Sequence, residues 1–227
     1  MKKFFISIIC ACLMLPAMAQ ISPLLQKGKS GGMVAFGVDK EEVSWGPTFR
    51  IGTSVKGILD FELNYLHSLA DEEKVHTTSD DVSASLYEAV VTWWFLRSRP
   101  VDWFDVNLGL RPGYEWGTYD DYLFQNESES GEYKGYYLGQ LGVQSNVVFH
   151  LERGWIFEPF FNVDYEVGHD KVNDNIFNFH GFASSLGITF GKRLKNGSAL
   201  FMSLKQSSGS YGAGEYFDAE VGYVFPW

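Results

Sequence analysis

Along most of the chain, apolar and polar side chains alternate at a spacing of two, the period of a strand with two chemically different faces. The last segment shows this simply: Phe217, Ala219, Val221, Tyr223, Phe225 and Trp227 share one face, and Asp218, Glu220 and Gly222 the other. The same division sets Trp155, Phe157, Phe161, Val163, Tyr165 and Val167 against Glu158, Asn162, Asp164 and Glu166. It also sets Phe104, Val106, Leu108, Leu110, Tyr114 and Trp116 against Asp105, Asn107, Gly109, Arg111, Gly113 and Glu115. A helix would mix these faces. Turn-forming residues divide the chain into strands near 31–38, 44–54, 58–68, 82–97, 103–117, 135–151, 155–168, 179–192, 198–206 and 215–227. Most reach the roughly 9–11 residues that cross a bilayer at a tilt. The expected fold is all-β, a closed antiparallel up-and-down transmembrane barrel of ten strands, with eight as the alternative.

The connections alternate in length. Short turns fall at 55–57, 98–102, 152–154 and 193–197; longer polar and mostly acidic loops fall near 69–81, 118–134, 169–178 and 207–214. The strands are expected to extend little beyond the bilayer. Lys2 and Lys3, an apolar run from Phe4 to Leu15 and Ala17-Met18-Ala19 have the form of a secretory signal, which predicts cleavage after residue 19. The chain then divides into a signal peptide (1–19), a periplasmic N-terminal segment (20–30) and an outer-membrane barrel (31–227). Cys10 and Cys12 both lie in the signal, so the processed chain holds no disulfide and no thiolate metal site. Removing two lysines leaves 18 − 2 = 16 basic against 28 acidic residues, a net of −12 that argues against nucleic acid as a partner.

Alternation alone does not separate a membrane barrel from a soluble one with a greasy interior. Three features point to lipid outside. The polar face is rich in glycine (Gly37, Gly46, Gly52, Gly109, Gly113, Gly142, Gly181, Gly187, Gly191, Gly222), which suits a crowded lumen. Aromatics gather at both strand ends: Trp93, Trp94, Phe95, Trp103, Phe104, Trp155 and Trp227 toward the short turns, and Tyr65, Tyr114, Trp116, Tyr136, Tyr137, Tyr165 and Tyr216 toward the long loops. Finally, Lys56, Arg97, Arg99, Arg153, Lys192, Arg193 and Lys195 mark the short turns, whereas Asp71-Glu72-Glu73, Asp80-Asp81 and Asp120-Asp121 mark the loops.

A signal-like start, alternating strands and a last strand ending in Phe225 and Trp227 resemble the small outer-membrane barrels of the OmpA and OmpX type of Gram-negative bacteria, over essentially the whole processed chain. The resemblance implies residence in the cell outer membrane with both termini in the periplasm, and contact with outer-membrane lipid and lipopolysaccharide. It also implies that the barrel-assembly machinery reads Phe225 and Trp227 as an insertion signal. Pro226 departs from the usual pattern and is tolerable at a strand end.

With the polar face inward, the lumen collects Asp60, Glu62, Glu88, Asp105, Glu115, Glu158, Asp164, Glu166, Asp218 and Glu220 against Arg50, Arg111 and Lys205. Symmetry about a turn near residue 56 places Arg50 opposite Glu62, and Arg111 falls opposite Glu88. Structural ion pairs filling a narrow barrel are one reading; a wet acidic passage preferring cations is the other. The histidines, His67, His76, His150, His169 and His180, form no His-x-Ser motif and no pair at metal-ligand spacing. His169-Asp170 with the acidic doublets weakly resembles the omptin proteases. No catalytic residue, cofactor or metal site is assigned. The expected role is non-enzymatic: structural, surface-recognition or partner-docking through the acidic loops, with another envelope protein as a partner. A narrow cation-preferring channel for small solutes is the alternative, and an omptin-like surface hydrolase the third.

Overall fold

The computed structural model describes residues 21–25, 28–40, 44–70, 83–120, 123–125, 130–173, 175–208 and 215–227. The signal segment and most of the acidic loop clusters, Asp71-Glu72-Glu73, Asp80-Asp81 and Asp121, lie outside these residues. A single helical turn, α1 (Ile21–Leu24), precedes β1 (Gly31–Lys40), β2 (Ser44–Val55), β3 (Leu59–Ala70), β4 (Ser83–Val101) and β5 (Phe104–Asp120). There follow β6 (Leu123–Gln125), β7 (Ser130–His150), β8 (Trp155–Val172), β9 (Asn175–Arg193), β10 (Ala199–Ser208) and β11 (Glu215–Pro226). Sequence neighbours pair antiparallel around the ring, β5 pairs with β7, and β1 pairs with β11 from Gly31↔Pro226 to Lys40↔Phe217. The short β6 pairs only with the start of β7. The result is a closed barrel of ten strands, not eight, with a small hairpin added beside one loop.

Strand boundaries at the short-turn end agree with the alternation except in β4, which continues through the expected turn at 98–102 to pair Val101 with Phe104. At the other end, β4, β5, β7, β8 and β9 run 19, 17, 21, 18 and 19 residues, against 10–12 for β1, β2, β3, β10 and β11. Half of the wall is therefore tall, and the expectation that strands barely leave the bilayer is corrected. The segment 169–178, read as a loop, continues the β8–β9 ladder to a tight turn at Val172↔Asn175. Polar residues such as His169, Asp170 and Asn178 mimic a loop in sequence. Beyond the membrane both faces of a ladder are wet, so hydrogen bonding sustains a strand that no longer needs an apolar face.

Outward side chains are apolar and exposed, among them Phe36, Leu63, Leu141, Val143, Val167, Phe182 and Val221. Inward ones are polar and buried, among them Arg50, Asp60, Asn107, Glu158, Asp164 and Glu220. This inside-out distribution belongs to a barrel solvated by lipid. Around the outside, rings join Tyr65–Tyr87 at 5.1 Å, Tyr87–Trp116 at 5.4 Å, Tyr114–Trp116 at 6.0 Å and Tyr114–Tyr137 at 6.5 Å between centroids. Near the short turns a second belt joins Trp103, Phe149, Phe157 and Phe190 at 4.9–5.9 Å. Trp155 and Tyr165, ten residues apart on β8, lie about 25 Å apart along the barrel axis for a tilt near 40°, the height of the apolar band of such barrels.

Trp94, Tyr136 and Tyr216, grouped with the belts by position, point inward instead. Neighbours on a strand face opposite ways, so Trp93 meets lipid (50% exposed) and Trp94 the lumen (3%). A bulge between Trp94 and Leu96 then keeps Phe95 and Leu96 both outside.

Val143 lies midway between Tyr137 and Phe149 on β7 and faces outward. Val143→Arg is expected to lower stability by about 2–4 kcal/mol and Val101→Arg, at the membrane edge, by about 0–1 kcal/mol. Urea unfolding in lipid vesicles, followed by the loss of heat-modifiable migration on gels, measures both.

Candidate functional site in the barrel lumen

The lumen is stratified. At the short-turn end Ile21, Leu24 and Leu25 enter the barrel and are buried against Met33, Val148, Ile156, Phe160, Phe201 and Val224. Residues 21–25 of the segment expected to precede the barrel thus form an apolar plug. Three glycines make room for them. A Cβ at Gly52 would come within 2.6 Å of the Ile21 side chain, one at Gly31 within 2.7 Å of Leu25, and one at Gly191 within 3.0 Å of Leu24. Arg193 holds the plug from below, its guanidinium donating to the carbonyls of Pro23, Leu24 and Leu25 at 3.3–3.4 Å. Burying three such side chains contributes about 5–9 kcal/mol, and ordering five residues costs about 5–10 kcal/mol. The balance is near zero, so the Arg193 bonds decide whether the plug stays.

Above the plug lies a layer of amides and carboxylates. Trp94 Nε1 donates to Asp60 Oδ2 at 2.9 Å, Asn107 Nδ2 to Asn146 Oδ1 at 2.6 Å, and Asn146 Nδ2 to Glu158 Oε1 at 2.8 Å. Next comes the ionic layer. Arg50 bonds Glu62 at 3.2 Å and also Glu220. Arg111 bonds Glu88 at 2.7 Å and Asp164 at 3.3 Å. Asn64 and Gln140 each donate to Glu88 at 2.5 Å, and Lys205 reaches Asp218 at 3.3 Å. Higher still, Tyr136 donates to Glu115, and Tyr119 lies 6.2 Å from Tyr136. Leu86 and Tyr136 crowd over Gly117, as Leu138 and Phe179 do over Gly168, lining the tall wall with an apolar layer.

Both expected arginine pairs form, by a different register. Arg50 faces Asn64 and Glu62 faces Gly52, because the β2–β3 turn centres on residue 57 rather than 56, and Glu88 faces Glu115, because the β4–β5 ladder runs on to Val101↔Phe104 with register shifts on the way. The long side chains cross diagonally to their partners. The second partners, Glu220 across the β1–β11 closure and Asp164 from β8, escaped sequence reading, since no single hairpin contains them. The carboxylate excess is met by neutral donors: Trp94, Tyr136, Asn64, Gln140 and Asn146. Their shared inward parity is the signal that was available. Asp105 sits at the rim instead, bonded by Arg99 at 2.6 and 2.9 Å and by His150 at 2.8 Å. Glu166 shares the inward parity of Asp164 on β8 and is itself engaged by a neighbouring group.

Among the described residues, seven buried polar atoms find no protein partner: Arg50 Nε, Asn64 Oδ1, Asn107 Oδ1, Glu158 Oε2, Asn162 Oδ1, Asp164 Oδ1 and Asp218 Oδ1. Six are acceptors, so the lumen presents lone pairs. Catalytic geometry is poorer. His169 faces outward, 5.2 Å from the Tyr137 ring, while Asp170 faces the other way, so no His-Asp couple forms. His67 Nδ1 and Ser85 Oγ meet outside at 3.5 Å, the limit of a hydrogen bond. Their outward neighbours Tyr65, Leu69, Ser83 and Tyr87 supply no carboxylate to orient the imidazole. Beyond the upper belt, Ile176 (63% exposed) and Phe177 (55%) form an apolar tip on the β8–β9 hairpin.

No family model and no curated protein matches the chain. Among solved structures it is similar to an outer-membrane channel from Pseudomonas putida F1 (11% identity, 89% of this chain and 97% of that one, TM-score 0.48). It is also similar to the β domain of the Bordetella autotransporter BrkA (12%, 88% and 100%, TM-score 0.49). A third is the outer-membrane protease OmpT from Escherichia coli (11%, 88% and 94%, TM-score 0.36). The three differ in activity, and at these identities the likeness concerns the barrel alone. The closed ten-stranded ring, apolar outside and polar inside, is read from the chain's own pairings and burial.

Arg111→Met leaves Glu88 and Asp164 without their cation and is expected to lower stability by about 3–5 kcal/mol. Adding Glu88→Gln and Asp164→Asn restores most of the loss. Urea titration in detergent micelles measures both.

Proposed function

We propose that this protein resides in the bacterial outer membrane, termini in the periplasm and long loops outside, as a non-enzymatic scaffold closed to solute flow. Its role is structural, surface-recognition or partner-docking, exercised through the acidic loops and the tall wall of β4, β5 and β7–β9. One observation carries the closed state: Ile21, Leu24 and Leu25 fill one end of the lumen beneath a layer in which two arginines each bridge two carboxylates. The exposed Ile176–Phe177 tip, raised beyond the membrane belt, supports the docking role. Outward-facing Phe225 and Trp227, 6.0 Å apart at the end of β11, fit an insertion signal offered to the barrel-assembly machinery.

In planar bilayers the wild-type barrel is expected to be silent. Leu24→Asp and Arg193→Ala, which each upset the near-neutral balance of the plug, are expected to produce small conductances. Steady conductance by the wild type would replace the closed scaffold with the second reading, a narrow cation-preferring passage, which the six unpartnered acceptors favour.

Deleting 120–132 with the barrel still inserted is expected to abolish crosslinking to an envelope partner. Crosslinking that survives this deletion and Phe177→Ser together would remove the docking role.

A further inference from the structure

The basic residues at the short-turn rim are not equivalent. Arg193 grips the plug carbonyls, Arg97 donates to the Gly57 carbonyl at 2.5 Å, Arg99 chelates Asp105, and Lys192 lies 4.8 Å over the Trp155 ring. Lys29 and Lys195 are different. They come from separate segments, the lead-in to β1 and the β9–β10 turn, yet line one cleft of about 340 Å³ with Asn196, Gly197, Pro226 and Trp227. Among the described residues neither lysine has a carboxylate partner. The Asn196 side-chain oxygen already accepts from the Ser198 amide at 3.1 Å and the Ser198 hydroxyl at 2.6 Å, so its amide N–H groups are left to face elsewhere.

The polar side chains that line this cleft beside Pro226 and the Trp227 ring are therefore two ammonium groups and an amide, with no Asp or Glu among the lining residues. Its position narrows the ligand further. The cleft adjoins the outward Phe225–Trp227 ring pair, and Trp227 is anchored by its backbone N–H to the Ser30 carbonyl at 3.2 Å. An anion held here would sit at the edge of the apolar band, with acyl chains free to run along Tyr223 and Phe225. A soluble anion would gain nothing from that placement.

We propose that the cleft between Lys29, Lys195, Asn196 and Trp227 binds the phosphodiester headgroup of an anionic phospholipid. The choice of phospholipid rests on the proposed orientation, with the short turns toward the periplasmic leaflet. The site ties the segment that follows the plug, the last turn and the end of β11 to one lipid.

The test titrates the full processed protein in zwitterionic micelles with phosphatidylglycerol, phosphatidylcholine of the same chains, or inorganic phosphate, reading adducts by native mass spectrometry. One phosphatidylglycerol is expected to bind saturably, at least tenfold more tightly than phosphatidylcholine, and inorganic phosphate is expected not to displace it. Lys29→Gln and Lys195→Gln should each weaken binding roughly fivefold, and Lys56→Gln, at another turn, should not. Both lysines are exposed, and heat-modifiable migration verifies that the variants fold. Equal binding of the two lipids, unchanged binding by the double variant, or displacement by inorganic phosphate each overturns the proposal. The micelle measurement is independent of orientation, which protease access to the loops on intact cells reports separately.

Discussion

In hydrocarbon an unpaired backbone amide or carbonyl costs several kcal/mol, and a sheet escapes that penalty only by having no edge. Here the ring closes through β1 and β11, ten residues of each in unbroken antiparallel register. Every other feature follows from that closure. It separates a lipid face from an enclosed one, and it brings Glu220 of β11 against Arg50 of β2, residues 170 apart in sequence. The barrel is thus held at its seam by backbone bonds along the wall and by a charge-assisted bond across the interior.

Enclosure makes charge the central problem of the interior. Ionised groups in a narrow, poorly solvated space are tolerable only when each has partners, and paired arginines meet that requirement best because one guanidinium spans two carboxylates. Arg50 and Arg111 do so at neighbouring levels, and neutral donors such as Trp94 and Asn146 serve the carboxylates the arginines do not reach. Apolar layers lie on either side: the plug below, and Leu86, Leu138 and Phe179 with Tyr136 along the tall wall above. The same arrangement links structure to function. The plug and the bridged ionic layer crowd the described lumen from the short-turn end upward. The part of the molecule left free to vary its contacts is the wall beyond the upper belt.

The plug depends on small residues elsewhere. Gly31, Gly52 and Gly191 leave the volume that Leu25, Ile21 and Leu24 occupy. A lumen-facing glycine in a barrel of this width is therefore a statement about what lies opposite it. In sequence these glycines suggested only a crowded interior, and the occupant was a five-residue segment with no periodicity of its own.

Strand count, the orientation of the two faces and the short turns other than that between β4 and β5 follow from the sequence alone, because a period of two combined with turn residues is a local property of consecutive side chains. Membership of the lumen was legible for the same reason: Arg50, Glu62, Glu88, Arg111, Asp164 and Glu220 all have inward parity. Which of them meet was not, since a register shift of two residues or a contact across the seam leaves the alternation unchanged. The tall wall was hidden too, because a ladder wet on both faces has no pattern to read. Only the closed tertiary structure decided the second partner of each arginine, the entry of Ile21, Leu24 and Leu25 into the barrel, and the meeting of Lys29 with Lys195. Each of these joins residues that share no strand or hairpin, and the curvature of the ring sets the distance between them.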